Sequence, residues 1–262
     1  MPAITAHYYF GQEVLKLLPK EIQNVIEKNK SSFDLGLQGP DILFYYKPFE
    51  KNEISKMGGD IHEQAGNLII SKAINKIKKT SNQEALVYLL GFSCHFALDC
   101  SVHGKISQIT SAGIEHNLLE AELDRQVIEE FYSKEPNKFK RYNLVKIKTE
   151  SFDWMQLIYP GITVKQLKKC ARGFFFYSWL LYSKGNAKKT MLVLAEKSLH
   201  REGEFSSMMI SGQKNERYSQ PAKDIYKQMK GTIAFGAEAV INVYTCFKEN
   251  GVLLEMFKKN FL

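Results

Sequence analysis

The sequence contains few cysteines, and they are spaced too widely for a thiolate metal site. Cys94, Cys100, Cys170 and Cys246 form no C-x-x-C pair and no close cluster. Neither a zinc finger nor a disulfide framework is therefore expected. We predict that all four are reduced cysteines in the core.

A secretory leader and a long apolar run are also lacking. The first residues, MPAITAHYYFGQEVLKLLPKE, contain no basic leader, long apolar region or small-residue cleavage site. The longest apolar runs, ALVYLLGFSCHFAL and GFFFYSWLLYS, are shorter than the roughly 20 residues that a membrane helix needs. The sequence therefore predicts a cytoplasmic protein without a transmembrane segment.

Alternating strand patterns, internal repeats and low-complexity linkers are absent as well. Apolar residues recur at helical spacing instead, and 44% of the 262 residues are hydrophobic, which is enough for one substantial core. We predict an all-α fold, a multi-helix bundle forming a single domain over residues 1–262. The predicted helices cover residues 4–18, 20–30, 61–79, 83–109, 111–132, 164–183, 189–200 and 222–248, with a short one at the C-terminus.

Between these helices the sequence predicts turns and loops. Ser32 is expected to cap a short element, and Gly39-Pro40 to form a turn that presents Asp41. The stretch FEKNEISKMGGD is expected to be a loop that ends just before the helix opened by His62. The longest loops are predicted at residues 133–151 and 201–220.

Histidine is scarce but unevenly placed, because five of the six histidines lie within the first 116 residues. His95 and Asp99 are four residues apart on one predicted helix, which places them on the same face, and His103 continues that face. His116 and Glu120 repeat the spacing on the next helix, which we expect to fold back antiparallel after a short connection. Side chains on facing helices can converge on a metal ion.

A single histidine–carboxylate pair is more often a surface pair or a satisfied core pair. Residues 86–96 are strongly apolar, however, and burying polar groups there without a partner would be costly. Metal would supply that partner. With His7, Asp41 and His62 from upstream, the chain offers five imidazoles and three carboxylates, enough for two or three ions. This ligand set suits zinc but also manganese, iron or nickel.

The order of these residues resembles the zinc-dependent phospholipase C family. The pattern is His7, then Asp41 in GPD, then His62, then H-x3-D-x3-H-x12-H-x3-E from His95 to Glu120. That family includes bacterial phospholipases C and the N-terminal domain of glycosylphosphatidylinositol phospholipase D, and it is akin to the S1/P1 nucleases. By motif, the resemblance covers roughly residues 1 to 130.

The resemblance implies three metal positions. Asp41, His62, His95 and Asp99 would hold the first, and His103, His116 and Glu120 the second. His7, Asp99 as a bridge and the N-terminal residue of the chain would hold the third. The secreted relatives complete this third position with a tryptophan that signal cleavage exposes, whereas this chain begins Met1-Pro2.

The implied activity is zinc-dependent hydrolysis of a phosphoric diester by metal-activated water attacking phosphorus, with Asp41 and Asp99 in catalytic positions. Three divalent ions would outweigh three carboxylates and leave a cationic pocket that attracts a phosphodiester. Asp41 could be a metal ligand, a general base or both. The expected substrate is a phosphodiester such as a phospholipid.

Three points stay open in the sequence. The same metals would suit a nuclease or nucleotidase with a nucleic acid substrate, and a non-catalytic metal-binding protein is a further alternative. The net charge of +8 fits an anionic partner or a lysine-rich solvated surface equally well, and the sequence does not predict the oligomeric state. Asp124 could orient an imidazole N–H or form a surface salt bridge with Arg125 or a nearby lysine.

Overall fold

The computed structural model describes residues 3–146 and 152–262, except for the side chain of residue 186. The described residues form eleven α-helices joined by turns and short 3-10 helices, without a strand, which confirms the predicted all-α fold. The helices are α1 (Ile4–Leu17), α2 (Lys20–Lys28), α3 (Lys30–Gly36), α4 (Glu53–Glu63), α5 (Gly66–Thr80), α6 (Gln83–Ser111), α7 (His116–Glu130), α8 (Val164–Leu180), α9 (Asn186–Ser198), α10 (Glu216–Gly231) and α11 (Ile233–Glu249).

Helix α6 is the central element of the fold. The Asn82 side chain caps its start by accepting a hydrogen bond from the Ala85 N–H at 2.8 Å. Helix α3 packs closely against α6 at Gly91, where a Cβ atom would lie 2.2 Å from the Phe33 carbonyl oxygen. A side chain at Gly91 would therefore push α3 away from the central helix.

The length of α6 bears on the predicted lack of a transmembrane segment. Its 29 residues, with a mean hydropathy of 1.5 over the most apolar window, are long and apolar enough to cross a membrane by length and composition. However, 89% of that window is buried inside the protein, as in a core helix. The prediction considered only the length of the uninterrupted apolar runs, whereas the helix continues through the polar residues that follow them.

Helix α4 contradicts the prediction of a loop before His62. The Asn52 side chain accepts hydrogen bonds from the N–H groups of Ile54 and Ser55, so the helix begins within the stretch that the sequence predicts to be irregular. Gly58 lies inside the helix against the Phe44 ring. His62 consequently lies in the last turn of α4 rather than opening a helix, and a break at residues 64–65 separates α4 from α5.

Other predicted boundaries also differ from the structure. Ser32 is buried inside α3 and is not a cap. The helix predicted over 222–248 is two helices, α10 and α11, with a break at Thr232, and α10 begins within the predicted loop 201–220. The predicted loop 133–151 contains two short 3-10 helices, and its residues 147–151 lie outside the described residues.

Helices α1 and α10 each pack against both α6 and α7, so they link the two helices that carry most of the candidate ligands. The main cluster of buried apolar side chains extends from Ala3 to Phe261 and includes residues of α10 and α11. The single-domain organisation stays a prediction. The cysteines are free, as expected, with Cys94, Cys170 and Cys246 buried and Cys100 partly exposed.

Candidate metal centre

The centre is built around the Asp99 carboxylate on α6. His95, one turn before it, places its Nε2 atom 2.9 Å from Asp99 Oδ2. His103, one turn after it, places its Nε2 atom 3.4 Å from Oδ1. The helical spacing read from the sequence therefore does bring these three side chains together.

Two other helices add an imidazole each to the same carboxylate. His7 on α1 has its Nε2 atom 3.3 Å from Asp99 Oδ1, and His62 on α4 has its Nε2 atom 3.9 Å from Oδ2. Asp99 is 3% exposed. The carboxylate that faces these four imidazoles is therefore buried. An aspartate that faces imidazoles on several sides is suited to bridging metal ions.

Asp41 joins the cluster from the 3-10 helix Gly39–Tyr45. Its Oδ1 atom lies 3.2 Å from His62 Nε2. The approach depends on Gly39, which has a positive φ of 48° and lies so close to His95 that a Cβ atom would be 2.3 Å from the imidazole. The Gly-Pro turn noted in the sequence thus places Asp41 beside the histidines.

Two tyrosines that no sequence pattern had singled out hold this turn in place. The hydroxyls of Tyr159 and Tyr88 both donate to the Gly39 carbonyl oxygen, at 2.8 and 3.2 Å, and they lie 2.7 Å from each other. Both side chains are fully buried. Their hydrogen bonds fix the backbone two residues before Asp41.

The backbone also orients two of the imidazoles. His62 Nδ1 lies 2.7 Å from the Gly58 carbonyl oxygen, and His95 Nδ1 lies 3.2 Å from that of Leu37. A carbonyl can only accept, so Nδ1–H is the donor in each ring, and Nε2 is the nitrogen that a neutral ring offers to a metal. His95 Nε2 is buried without a hydrogen-bond partner despite its proximity to Asp99. In the neutral ring this nitrogen could share a cation with the carboxylate.

Potential ligand atoms come within 4.8 Å of one another in two groups, His7 with His95 and Asp99, and Asp41 with His62 and His95. The family resemblance grouped His95 with Asp41, His62 and Asp99, and placed His7 in a separate position with Asp99. In the structure His95 belongs to both groups, and its ring stacks on that of His7 with 4.3 Å between centroids.

The remaining predicted ligands lie at the edge of the cluster. His116 Nε2 is 3.1 Å from Glu120 Oε1, and the rings of His103 and His116 have centroids 6.1 Å apart. Glu120 is buried, whereas the His116 side chain is 44% exposed. These three side chains are neighbours, but they are not part of the two compact groups found among the described residues. The predicted N-terminal ligand lies outside the described residues.

Electrostatics favours ionised carboxylates in the cluster. Burial opposes the charge on Asp99, but His95, His103 and His7 lower its pKa well below the ordinary value. The pKa of Asp41 is also lowered despite burial, in part by the hydrogen bond with His62. Burial, and then the neighbouring His95, lower the pKa of His7. Burial opposes charge on His95 and His103 too, but Asp99 raises the pKa of both. A metal would therefore meet ionised carboxylates and would displace protons from these two rings.

Asp124 fits neither of the two roles considered from the sequence. It is fully buried, and its Oδ1 atom accepts a hydrogen bond from the Ala6 N–H at 2.8 Å. Its Oδ2 atom lies 3.6 Å from Nη1 of the buried Arg141. Arg125 pairs instead with Glu122, at 2.7 Å. Asp124 therefore connects the first turn of α1 to α7.

The cluster opens into a cavity of about 380 Å³. Its volume is in the range of small-molecule sites. Phe261 contacts His62, one of the residues that line the cavity. Its N–H donates to the His62 carbonyl oxygen at 3.1 Å, and the centroid of its ring lies 5.3 Å from that of the imidazole. No sequence pattern links Phe261 to His62. The cavity is lined by His7, Asp41, Phe44, Gly59, His62, Glu63, Asp99, His103, His116, Asn117, Glu120, Met208 and Leu262.

The fold and the cluster together define a class, a helical protein with a buried cluster of imidazole and carboxylate side chains. A model of the family described as zinc dependent phospholipase C matches residues 6–163, more than half of the chain and a range that includes all eight predicted ligands. The chain belongs to this family of phosphoric diester hydrolases, and the two compact groups offer the nitrogen and oxygen ligands that zinc takes. No curated protein and no solved structure matches it.

Proposed function

We propose that the protein cleaves the phosphodiester bond of phospholipids by hydrolysis at phosphorus, in the cavity around Asp99. The observation that carries the proposal is one buried carboxylate within 4 Å of four imidazoles on three helices, at the base of an open cavity. The proposed zinc ligands are His7, Asp41, His62, His95, Asp99, His103, His116 and Glu120.

Zinc bound there would lower the pKa of water so that it can attack phosphorus near neutral pH, and it would offset the negative charge of the phosphoryl oxygens. The chain's own contribution is to hold the ligands in place. The carbonyls of Gly58 and Leu37 keep the Nε2 atoms of His62 and His95 directed at the cluster. Asp99 would bridge ions held by different helices, since both of its oxygens face imidazoles.

Asp41 has a second proposed role. It lines the cavity as well as facing His62, and its carboxylate is held ionised. A carboxylate in that position can accept a proton from the attacking water. The Phe44 ring lies 5.7 Å from the His62 ring and offers an apolar wall beside the phosphoryl position.

The proposal is tested by loading the purified protein with zinc and measuring hydrolysis of phosphatidylcholine, phosphatidylinositol, single-stranded DNA and bis(p-nitrophenyl) phosphate in parallel. We expect release of a phosphorylated head group from at least one phospholipid. Asp41→Asn serves as the site variant and His200→Ala as the control. Cleavage of DNA alone would replace the proposal with a nuclease, and two bound metals without turnover of any substrate would contradict an enzyme function.

A further inference from the structure

The positive charge of the chain is concentrated in one segment outside the metal centre. Residues 164–199, which include α8 and α9, contain eight lysine and arginine residues and one acidic residue, Glu196. This segment therefore carries +7 of the net charge of +8. The rest of the chain is nearly neutral, so the charge marks one region and not the protein as a whole.

The same segment exposes large apolar side chains. On α8, Phe176 is 52% and Trp179 51% exposed, and on α9, Met191 is 71% and Leu194 62% exposed. The members of each pair are three residues apart and share one helix face. Among the side chains of α9 that the structure describes, Glu196 is the buried one, and the half-buried Leu192 packs against the cluster of Leu181, Phe205 and Met209. Met191 and Leu194 are exposed and are not part of that cluster.

Lys188 joins the two helices into one surface. Its ammonium group donates to the carbonyl oxygens of Trp179 and Tyr182, at 2.9 and 2.8 Å, and lies 4.5 Å from the centre of the Trp179 indole. Met191 follows Lys188 by one helical turn. We call the surface formed by Phe176, Trp179, Lys184, Lys188, Met191 and Leu194 the α8–α9 surface.

The α8–α9 surface is connected to the wall of the metal cavity. The Glu196 carboxylate accepts a hydrogen bond from the Ser206 N–H at 2.8 Å and another from the Ser206 hydroxyl at 2.6 Å. These bonds attach α9 to the 3-10 helix Ser206–Met208, and Met208 lines the cavity. A ligand bound to α9 would therefore lie on a helix that is hydrogen-bonded to the 3-10 helix containing Met208.

We propose that the α8–α9 surface binds the surface of a membrane that contains anionic lipid. Exposed Trp, Phe, Leu and Met side chains among lysines are the composition of helices that lie in the membrane interface. Nucleic acid would use the lysines but not the exposed aliphatic side chains, and the central part of a protein interface is usually depleted of lysine. The inference rests on the proposed phospholipid substrate, which has to be reached in a bilayer.

The proposal is tested by sedimentation of the zinc-loaded protein with vesicles of phosphatidylcholine alone or mixed with phosphatidylglycerol. We expect stronger binding to the mixed vesicles and weaker binding at high salt, since salt screens exposed charges. The double variant Trp179→Ser/Met191→Ser should bind at least about tenfold more weakly, because two large apolar side chains no longer enter the interface. Lys184→Glu should weaken binding to the anionic vesicles only.

Matched controls replace exposed residues elsewhere. Leu68→Ser/Val252→Ser removes two apolar side chains that are 48% and 87% exposed, and Lys79→Glu reverses an exposed charge on α5. These variants should bind vesicles as the unchanged protein does. Helical circular dichroism confirms that each variant is folded. Equal binding by the two double variants, or no binding by the unchanged protein, would overturn the proposal.

Other outcomes separate this inference from the proposed function. Turnover of soluble bis(p-nitrophenyl) phosphate should be unchanged in Trp179→Ser/Met191→Ser, whereas hydrolysis of vesicle phospholipid should fall with binding. Vesicle binding without hydrolysis of any phospholipid would contradict the proposed function and leave the membrane surface standing. Preferential binding of a single-stranded oligonucleotide lost in Lys184→Glu, or a dimer lost in Trp179→Ser/Met191→Ser, would replace the membrane as the ligand.

Discussion

The imidazole rings of His7 and His95 lie nearly parallel, with 4.3 Å between their centroids and 19° between their planes. Both rings are buried, on helices α1 and α6, and Asp99 lies within 3.3 Å of both. Two stacked imidazoles repel each other when both are protonated, and burial opposes protonation as well. Burial and then His95 lower the pKa of His7, whereas Asp99 raises the pKa of His95 despite its burial. A cation shared with Asp99 would take the place of the proton on His95.

We therefore expect zinc to stabilise the folded protein. Removal of metal with EDTA should lower Tm, and stoichiometric zinc should restore it, because the folded chain alone offers the assembled ligands. His95→Ala should lose this zinc-dependent shift, measured by thermal unfolding. His200→Ala, which changes an exposed histidine just after α9, should retain it. A shift of equal size in both variants would place the metal elsewhere.

Asp99→Ala should abolish hydrolysis and lower the zinc content per chain, because it removes the carboxylate that faces four imidazoles. We expect a loss of activity greater than about hundredfold, since even residues that only orient metal ligands cost roughly 10 to 100-fold. Metal content by mass spectrometry and turnover of bis(p-nitrophenyl) phosphate measure the two effects. Normal zinc content in Asp99→Ala would contradict a bridging role.

Gly39 offers a sharper test of how the Asp41 turn is built. Gly39→Ala should destabilise the protein by at least about 1 kcal/mol and weaken zinc binding, because it combines a positive φ with a clash against His95. Gly59→Ala is the matched control. No atom lies within 4 Å of the position that its Cβ would take, and in the interior of α4 alanine should stabilise by roughly 0.5 to 1 kcal/mol. Urea unfolding and zinc titration measure both effects, and equal stability changes would contradict the argument.

The sequence predicted the part of the site that depends on local geometry. The spacing of His95, Asp99 and His103 determines a shared helix face in any α-helix, so the ligands on α6 could be predicted before their partners were known. For Asp41 the sequence predicted only that the Gly39-Pro40 turn presents it, and the family resemblance grouped it with these side chains. The family resemblance then connected these residues to His7 and His62.

Tertiary packing determined what the sequence could not predict. Gly58-Gly59 reads as a break, yet both glycines lie inside α4, and Gly58 packs against Leu43 and Phe44. Tyr159 and Phe261 reach the site from distant segments of the chain, and neither belongs to a local pattern. Asp124 shows the same limit, since its partners Ala6 and Arg141 become neighbours only when α1, α7 and the following turns pack together.

Asp124 and Arg141 form a buried pair whose members depend on each other. Burial raises the pKa of Asp124 to about 7, against the attraction of Arg141 and the hydrogen bond from Ala6, and burial lowers the pKa of Arg141. Removing one partner leaves the other buried alone, at a cost of about 3 to 5 kcal/mol. We expect Arg141→Met to destabilise by about this amount and Asp124→Asn by less, because the amide resembles the neutral carboxyl that burial favours. The double variant should lose less than the sum.

The exposed pair Glu135 and Lys138, 2.8 Å apart, is the control for this double-mutant cycle, with a coupling below about 1 kcal/mol. The pH dependence gives a second check. Since the folded-state pKa of Asp124 is raised, its contribution to stability is present at low pH and falls as pH rises from about 4 to about 7. Urea unfolding gives the free energy of unfolding of the unchanged protein minus that of Asp124→Asn. This value should therefore be larger at pH 5 than at pH 8. A difference that grows with pH would mean that the ionised carboxylate is the favoured state, and that Arg141 more than offsets its burial.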